Sequence, residues 1–127
     1  MKKIIFDVKR MEIYIAKLPL SGGSVQMGIR PVLIVGNDMC NMKSPNVIVV
    51  PITSKEKRWD WLHVEIPTST GMEIESFALC EQILTIPKEC LVNKVGVLED
   101  SKLIRAIEDA LQISLFIERG KGKNEIL

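Results

Sequence analysis

Histidine, cysteine and aromatic side chains are scarce in this chain of 127 residues. There is one histidine, His63, and there are three cysteines, Cys40, Cys80 and Cys90. No C-x-x-C pair occurs, so neither a zinc knuckle nor a dithiol redox centre is written in the chain. The odd count implies no disulfide framework, and each cysteine reads as a small buried hydrophobe in a reducing cytoplasm. No apolar run approaches the ~20 residues that a membrane helix needs. Met1-Lys2-Lys3-Ile4-Ile5-Phe6 imitates the start of a secretion signal, but Asp7, Lys9 and Arg10 end the apolar stretch too early. A soluble, cytoplasmic chain with no membrane association, no metal and no cofactor is therefore expected.

An excess of one charge is also missing. The formal net charge is +1, from 17 Lys+Arg against 16 Asp+Glu, which argues against a wholesale polyanion binder. The two halves differ, however. Residues 1–58 carry ten basic and four acidic side chains, and residues 59–127 carry seven basic and twelve acidic. That asymmetry raises a basic face as one reading and ordinary scatter of surface charge as the other. With 46% hydrophobic and 26% charged residues, the chain is a folded domain rather than a disordered one. Its length suits a single domain, here residues 1–119, followed by a short polar tail at 120–127.

The first two-thirds read as strands, at residues 12–16, 31–37, 47–54, 62–66, 77–84 and 91–98. Val32-Leu33-Ile34-Val35 is a continuous apolar run suited to burial on both faces. Pro51 cannot donate to a ladder and marks an edge or a bulge in its strand. The segments 20–28, 37–46, 55–61 and 67–71 read as loops from their Gly, Pro, Ser and Asn content. One helix closes the domain, with Asp100 or Ser101 as N-cap and Gly120 as stop signal. Leu103, Ile104, Ile107, Leu111, Ser114 and Leu115 form its apolar face. Many short strands and one helix predict a mainly β domain, a small and strongly curved antiparallel barrel with a helix across one end.

Composition names no function, but sequence blocks do point somewhere. The stretch Gly28-Ile29-Arg30-Pro31-Val32-Leu33-Ile34-Val35-Gly36-Asn37-Asp38 resembles the first signature of the MazF/PemK family of bacterial toxins. Asn41, Ser44-Pro45, Val47-Ile48-Val49 and Ile52-Thr53-Ser54 continue the likeness. His63-Val64-Glu65-Ile66, Ser76, Glu81-Gln82-Ile83 with Thr85-Ile86, and Ala110-Leu111-Gln112-Ile113-Ser114-Leu115 follow in order. The resemblance implies an SH3-like barrel of the CcdB/PemK type that forms a homodimer. It implies a metal-independent endoribonuclease that cuts single-stranded RNA and is neutralised by a cognate antitoxin protein. Two other readings share the fold: a CcdB-like poison of DNA gyrase, and a decayed family member that only binds an antitoxin.

The resemblance makes Arg30 and Thr53 the catalytic pair. Alone, Arg30 reads first as a rim arginine paired with a carboxylate, and Thr53 as an ordinary strand residue. Pro31 biases Arg30 to an extended backbone, and the planar guanidinium fork suits a phosphate. The resemblance also implies that Ser24, Gln26, Lys55, Lys57, Arg58, Trp59, His63, Ser76, Glu81 and Gln82 contact RNA. Cations hold phosphates and aromatic rings stack on bases, so a loop carrying both suits a single strand. Trp59 and Trp61, two apart, read alternatively as packing on one strand face. In the family a glutamate often precedes the loop glutamine, and here Val25 holds that place before Gln26. The general base is then open, with His63 and Glu81 as candidates. His63 reads equally as a hydrogen-bonded strand residue. A second departure is Met11-Glu12 where the family usually has Gly-Asp, which is expected to alter the strand start more than the chemistry.

Overall fold

Alternating apolar residues build a curved antiparallel sheet whose two faces are both buried. The computed structural model describes residues 7–18, 28–54 and 61–118. Its strands are β1 (Glu12–Leu18), β2 (Gly28–Ile34), β3 (Asn46–Thr53), β4 (His63–Ile66), β5 (Ser76–Leu79), β6 (Leu84–Pro87) and β7 (Leu91–Val97). The helices are α1 (Asp38–Lys43) and α2 (Ser101–Leu115). The strands run in the order β4-β5-β3-β2-β1-β7, and β6 also pairs with β3. All pairings are antiparallel. Among the described residues no helix is long and apolar enough to cross a membrane.

The period of two along each strand sorts the core into two clusters. Ile13, Leu33, Val50, Ile52, Ile66 and Ala78 face α2 and meet its Ile107 and Ala110. Tyr14, Ala16, Val32, Ile34, Val47, Val49, Ile86 and Leu91 fill the opposite side. The run Val32-Leu33-Ile34-Val35 is therefore split between both clusters, as its lack of alternation predicts. Each fully buried aliphatic side chain contributes roughly 1.5–3 kcal/mol, so the central strands dominate the stability.

β3 is long and changes partner along one edge. Residues Asn46–Val49 pair with β6, whereas Ile52 and Thr53 pair with β5. Pro51 lies in the gap between those two partners, where a missing N–H leaves no ladder bond unmade on that edge. The ladder does not close between β4 and β7. Instead the turn after β4 packs directly on β7: a Cβ on Gly96 would stand 2.2 Å from the Thr70 carbonyl oxygen, and one on Gly71 2.4 Å from that of Val95. Glycine is required at both places for the two backbones to touch, and Gly71 also takes φ 117.

Six local expectations change, the first two being that Cys40, expected to be buried, is exposed on α1, and that Leu115, expected on the apolar face of α2, is exposed as well. Residues 38–43 are a helix rather than part of a polar loop: the Asn37 side chain caps α1 by accepting the Cys40 N–H at 2.9 Å, and Asn41 is buried beneath it. Six residues are too few to show a helical period in sequence. The expected strand at 77–84 is two strands, β5 and β6, separated by a turn in which Gln82 N–H donates to the Leu79 carbonyl at 3.0 Å. α2 begins at the expected Asp100 cap but ends before Gly120, where Phe116 adopts a left-handed φ of 56° and Ile117 N–H reaches back to the Gln112 carbonyl. Trp61 is 68% exposed and does not pack on a strand face.

Met11 also has a left-handed backbone, at φ 75. Its N–H donates to Ile34 and its carbonyl accepts from Leu98, so two strand connections fix the conformation. The methionine side chain is buried in the core, which offsets backbone strain of about 1–2 kcal/mol. The neighbouring Glu12 carboxylate accepts from Lys9 N–H at 2.8 Å and from the Tyr14 hydroxyl at 3.3 Å, and meets Lys94 Nζ at 2.9 Å. This departure at Met11-Glu12 thus shapes the entry to β1.

Candidate active site

A groove of about 740 Å³ opens beside the start of β2 and the end of β3. Ile29, Arg30 and Pro31 of β2 form one side; Ile52 and Thr53 with Ser54 form the other. Ser76 enters from β5, and Gly71, Met72, Glu73 and Ile74 wall the groove in front of Val95 of β7. The wall stands there because the Gly71–Gly96 contact seats it on β7.

The β2–β3 register explains why Arg30 and Thr53 meet. Val32 pairs with Pro51, Leu33 with Val50, and Ile34 with Val49. Two residues further along the same register, Arg30 falls opposite Thr53. Thr53 pairs with Phe77 of β5, which brings the adjacent Ser76 to the same groove. Arg30 is half-buried and Thr53 only 5% exposed. Ser76 donates its hydroxyl to the Ile74 carbonyl at 3.0 Å, tying β5 to the wall. The arrangement presents one fixed cation and three hydroxyls in a partly desolvated cleft, which suits a phosphodiester.

The other expected site residues fall into two groups. His63 and Glu81 pair with each other: His63 Nε2 lies 3.0 Å and 3.1 Å from the two carboxylate oxygens. Gln82 follows in the same turn. His63 faces Leu79 at the far end of the β4–β5 ladder from Ser76, and none of His63, Glu81 and Gln82 lines the groove. Ser24, Gln26, Lys55, Lys57, Arg58 and Trp59, with the tail 120–127, lie outside the described residues. Sequence reasoning missed the wall residues Met72, Glu73 and Ile74, which carry no period and no turn signal of their own.

Cys80, between β5 and Glu81, is fully buried and does not line the groove; burial, and then the adjacent Glu81 carboxylate, push its thiol up to about 12. Among the described residues no three His, Cys, Asp or Glu side chains gather to hold a metal ion.

Comparison with known proteins converges on one family. The family model for the PemK-like, MazF-like toxin of type II toxin–antitoxin systems matches residues 9–115. The chain is 44% identical over 110 residues to Endoribonuclease EndoA of Bacillus subtilis, covering 85% of this chain and 94% of that one. The Mycobacterium tuberculosis toxin MazF-mt6 superposes with a TM-score of 0.72 at 27% identity, covering 85% of this chain and 99% of that one. A mycobacterial endoribonuclease solved in complex with its cognate antitoxin gives a TM-score of 0.74 at 22% identity, over 88% and 98% of the two chains; it supports the fold alone.

Proposed function

The chain belongs to the PemK-like, MazF-like toxins of type II toxin–antitoxin systems, and from that premise we propose that it is a metal-independent endoribonuclease of single-stranded RNA. The observation that carries the reading is the convergence of Arg30, Thr53 and Ser76 on one groove. The RNA 2′-hydroxyl attacks the adjacent phosphorus, the bond to the 5′-oxygen breaks, and the products are a 2′,3′-cyclic phosphate and a 5′-hydroxyl end. Arg30 stabilises the charge that builds on the phosphorane-like transition state. It does not serve as the base, because a guanidinium keeps its proton at neutral pH. Thr53 orients a non-bridging oxygen through its hydroxyl.

In this reading Lys55, Lys57 and Arg58 hold flanking phosphates, Trp59 stacks on a base, and Ser24, Gln26, Ser76 and Gln82 offer hydrogen bonds along the strand. The His63–Glu81 pair presents a polar edge to a base further along. The active form is a cytoplasmic homodimer, and a cognate antitoxin protein silences it.

The test is incubation of pure protein with a long single-stranded RNA in EDTA. Discrete fragments with 5′-hydroxyl ends, lost in Arg30→Ala and Thr53→Ala, are expected. Intact RNA together with gyrase trapped on DNA would replace the reading with that of a gyrase poison.

A further inference from the structure

A 2′-hydroxyl needs a group to take its proton, and the described groove contains one carboxylate. Glu73 lines it together with Arg30, Thr53, Ser54 and Ser76. Among the described residues Glu73 is exposed and makes no hydrogen bond or ion pair, so its oxygens are available to a substrate. Glu65 and Glu75 are exposed but do not line the groove, and three further carboxylates are engaged elsewhere. Glu81 is held by His63, Glu12 by Lys94 and Tyr14, and Glu108 by Arg10. The two sequence candidates for the base, His63 and Glu81, thus partner each other away from the groove.

We propose that Glu73 is the general base of the cleavage reaction. This rests on the endoribonuclease reading above. The 2′-O–H proton passes to the Glu73 carboxylate as the 2′-oxygen bonds to phosphorus; the bond from phosphorus to the 5′-oxygen breaks, that oxygen takes a proton from water, and Glu73 gives its proton to the hydroxide left behind. Arg30 faces the same space from β2 and balances the charge of the phosphate against that of the carboxylate. Glu73 reaches the groove because the wall 71–74 is seated on β7 by Gly71 and Gly96. The role left open at Val25 is then filled from a different loop, by a residue with the same functional group.

The experiment compares wild type, Glu73→Gln and Glu73→Asp in single-turnover cleavage of a single-stranded RNA. Glu73→Gln is expected to lower the maximal rate by about 100-fold or more with KM changed little, and Glu73→Asp to keep about a tenth of the rate. Glu75 is the nearest acid along the chain and does not line the groove, so Glu75→Gln should keep the wild-type maximal rate. A Glu73→Gln enzyme within twofold of wild type, or both variants impaired mainly in KM, overturns the proposal while leaving the RNase reading intact. A wild-type chain that cuts no RNA overturns both.

Discussion

Arg30 and Thr53 occupy corresponding positions in the β2–β3 register, two residues beyond the pair Val32–Pro51. An antiparallel ladder fixes which residues share a face, so the cation and the hydroxyl come to one groove without a dedicated loop. The interior of the same two strands is buried core, which makes the site's footing rigid.

Removing either member of this pair should abolish chemistry more than folding. Arg30→Ala is expected to slow cleavage by about 10²–10³-fold, the usual loss when one transition-state donor is deleted. Arg30→Lys should recover little of that, because a point charge does not reproduce the bidentate fork. Thr53→Ser keeps the hydroxyl and should stay active, whereas Thr53→Val should not. Single-turnover rates, with circular dichroism to check the fold, decide this.

RNA affinity should fall as salt rises. For single strands the slope of log K against log salt is about −0.7 for each phosphate neutralised. Arg30→Ala should flatten the slope by about that one increment. A fluorescence-anisotropy titration of a non-cleavable RNA over a range of salt concentrations measures it. A salt-insensitive affinity would count against cationic contacts to the backbone.

Gly96→Ala should damage the groove from behind. The new methyl would stand 2.2 Å from the Thr70 carbonyl oxygen, so the backbone at 70–71 must retreat from β7. Overpacking of this kind costs about 1–3 kcal/mol. The urea midpoint should drop accordingly, and kcat/KM should fall with it because the 71–74 wall moves. A variant of wild-type stability and activity would mean that the wall is set by other contacts.

Alkali should destabilise the fold through two buried groups. Burial, and then the Glu12 carboxylate, push the Tyr14 hydroxyl from 10.0 up to about 12, and burial chiefly raises the Cys80 thiol from 9.0 to about 12. Each group favours its neutral form in the folded state. The stability each contributes is complete below its unfolded value and is lost as pH rises through its folded one. Stability should therefore decline between about pH 9 and pH 12. The decline should be shallower in Tyr14→Phe and in Cys80→Ala, compared by urea unfolding. In parallel, a thiol reagent at neutral pH should label exposed Cys40 quickly and Cys80 only on unfolding.

What the sequence made legible follows what is local and periodic. The apolar run at Val32–Val35, most of the α2 face and Asp100, one of the two caps read for it, are set by neighbours in the chain and stand as read, whereas Leu115, placed on that face, is exposed. Arg30 and Thr53, which the structure brings to one groove, were singled out through family blocks rather than through any local signal, since each is ordinary alone. The pairing of His63 with Glu81 depends on the β4–β5 register, which no single segment encodes. Glu73 was invisible for a related reason. It lies in an unpatterned stretch whose position depends on a contact between two distant glycines, Gly71 and Gly96. α1 escaped because six residues with exposed Met39 and Met42 show no amphipathic stripe.

The end of α2 offers the last prediction, and it runs against the usual effect of substitution. Phe116 closes the helix in a left-handed conformation, with its N–H shared by the Gln112 and Ile113 carbonyls and Ile117 N–H bonded to Gln112. Glycine is the residue that takes this position without steric cost, whereas a side chain there costs about 1 kcal/mol or more. Phe116 is 78% exposed, so little burial is lost by removing its ring. Phe116→Gly should therefore raise the stability of the isolated chain by about 0.5–1 kcal/mol, seen as a higher urea midpoint with unchanged slope. Ile113, Leu115 and Ile117 are more than half exposed beside it, so the same comparison has a second reading. If Phe116→Gly instead lowers the midpoint, and does so more at high protein concentration, the ring is buried against another chain and the subunit contact of the toxin runs through this corner of α2.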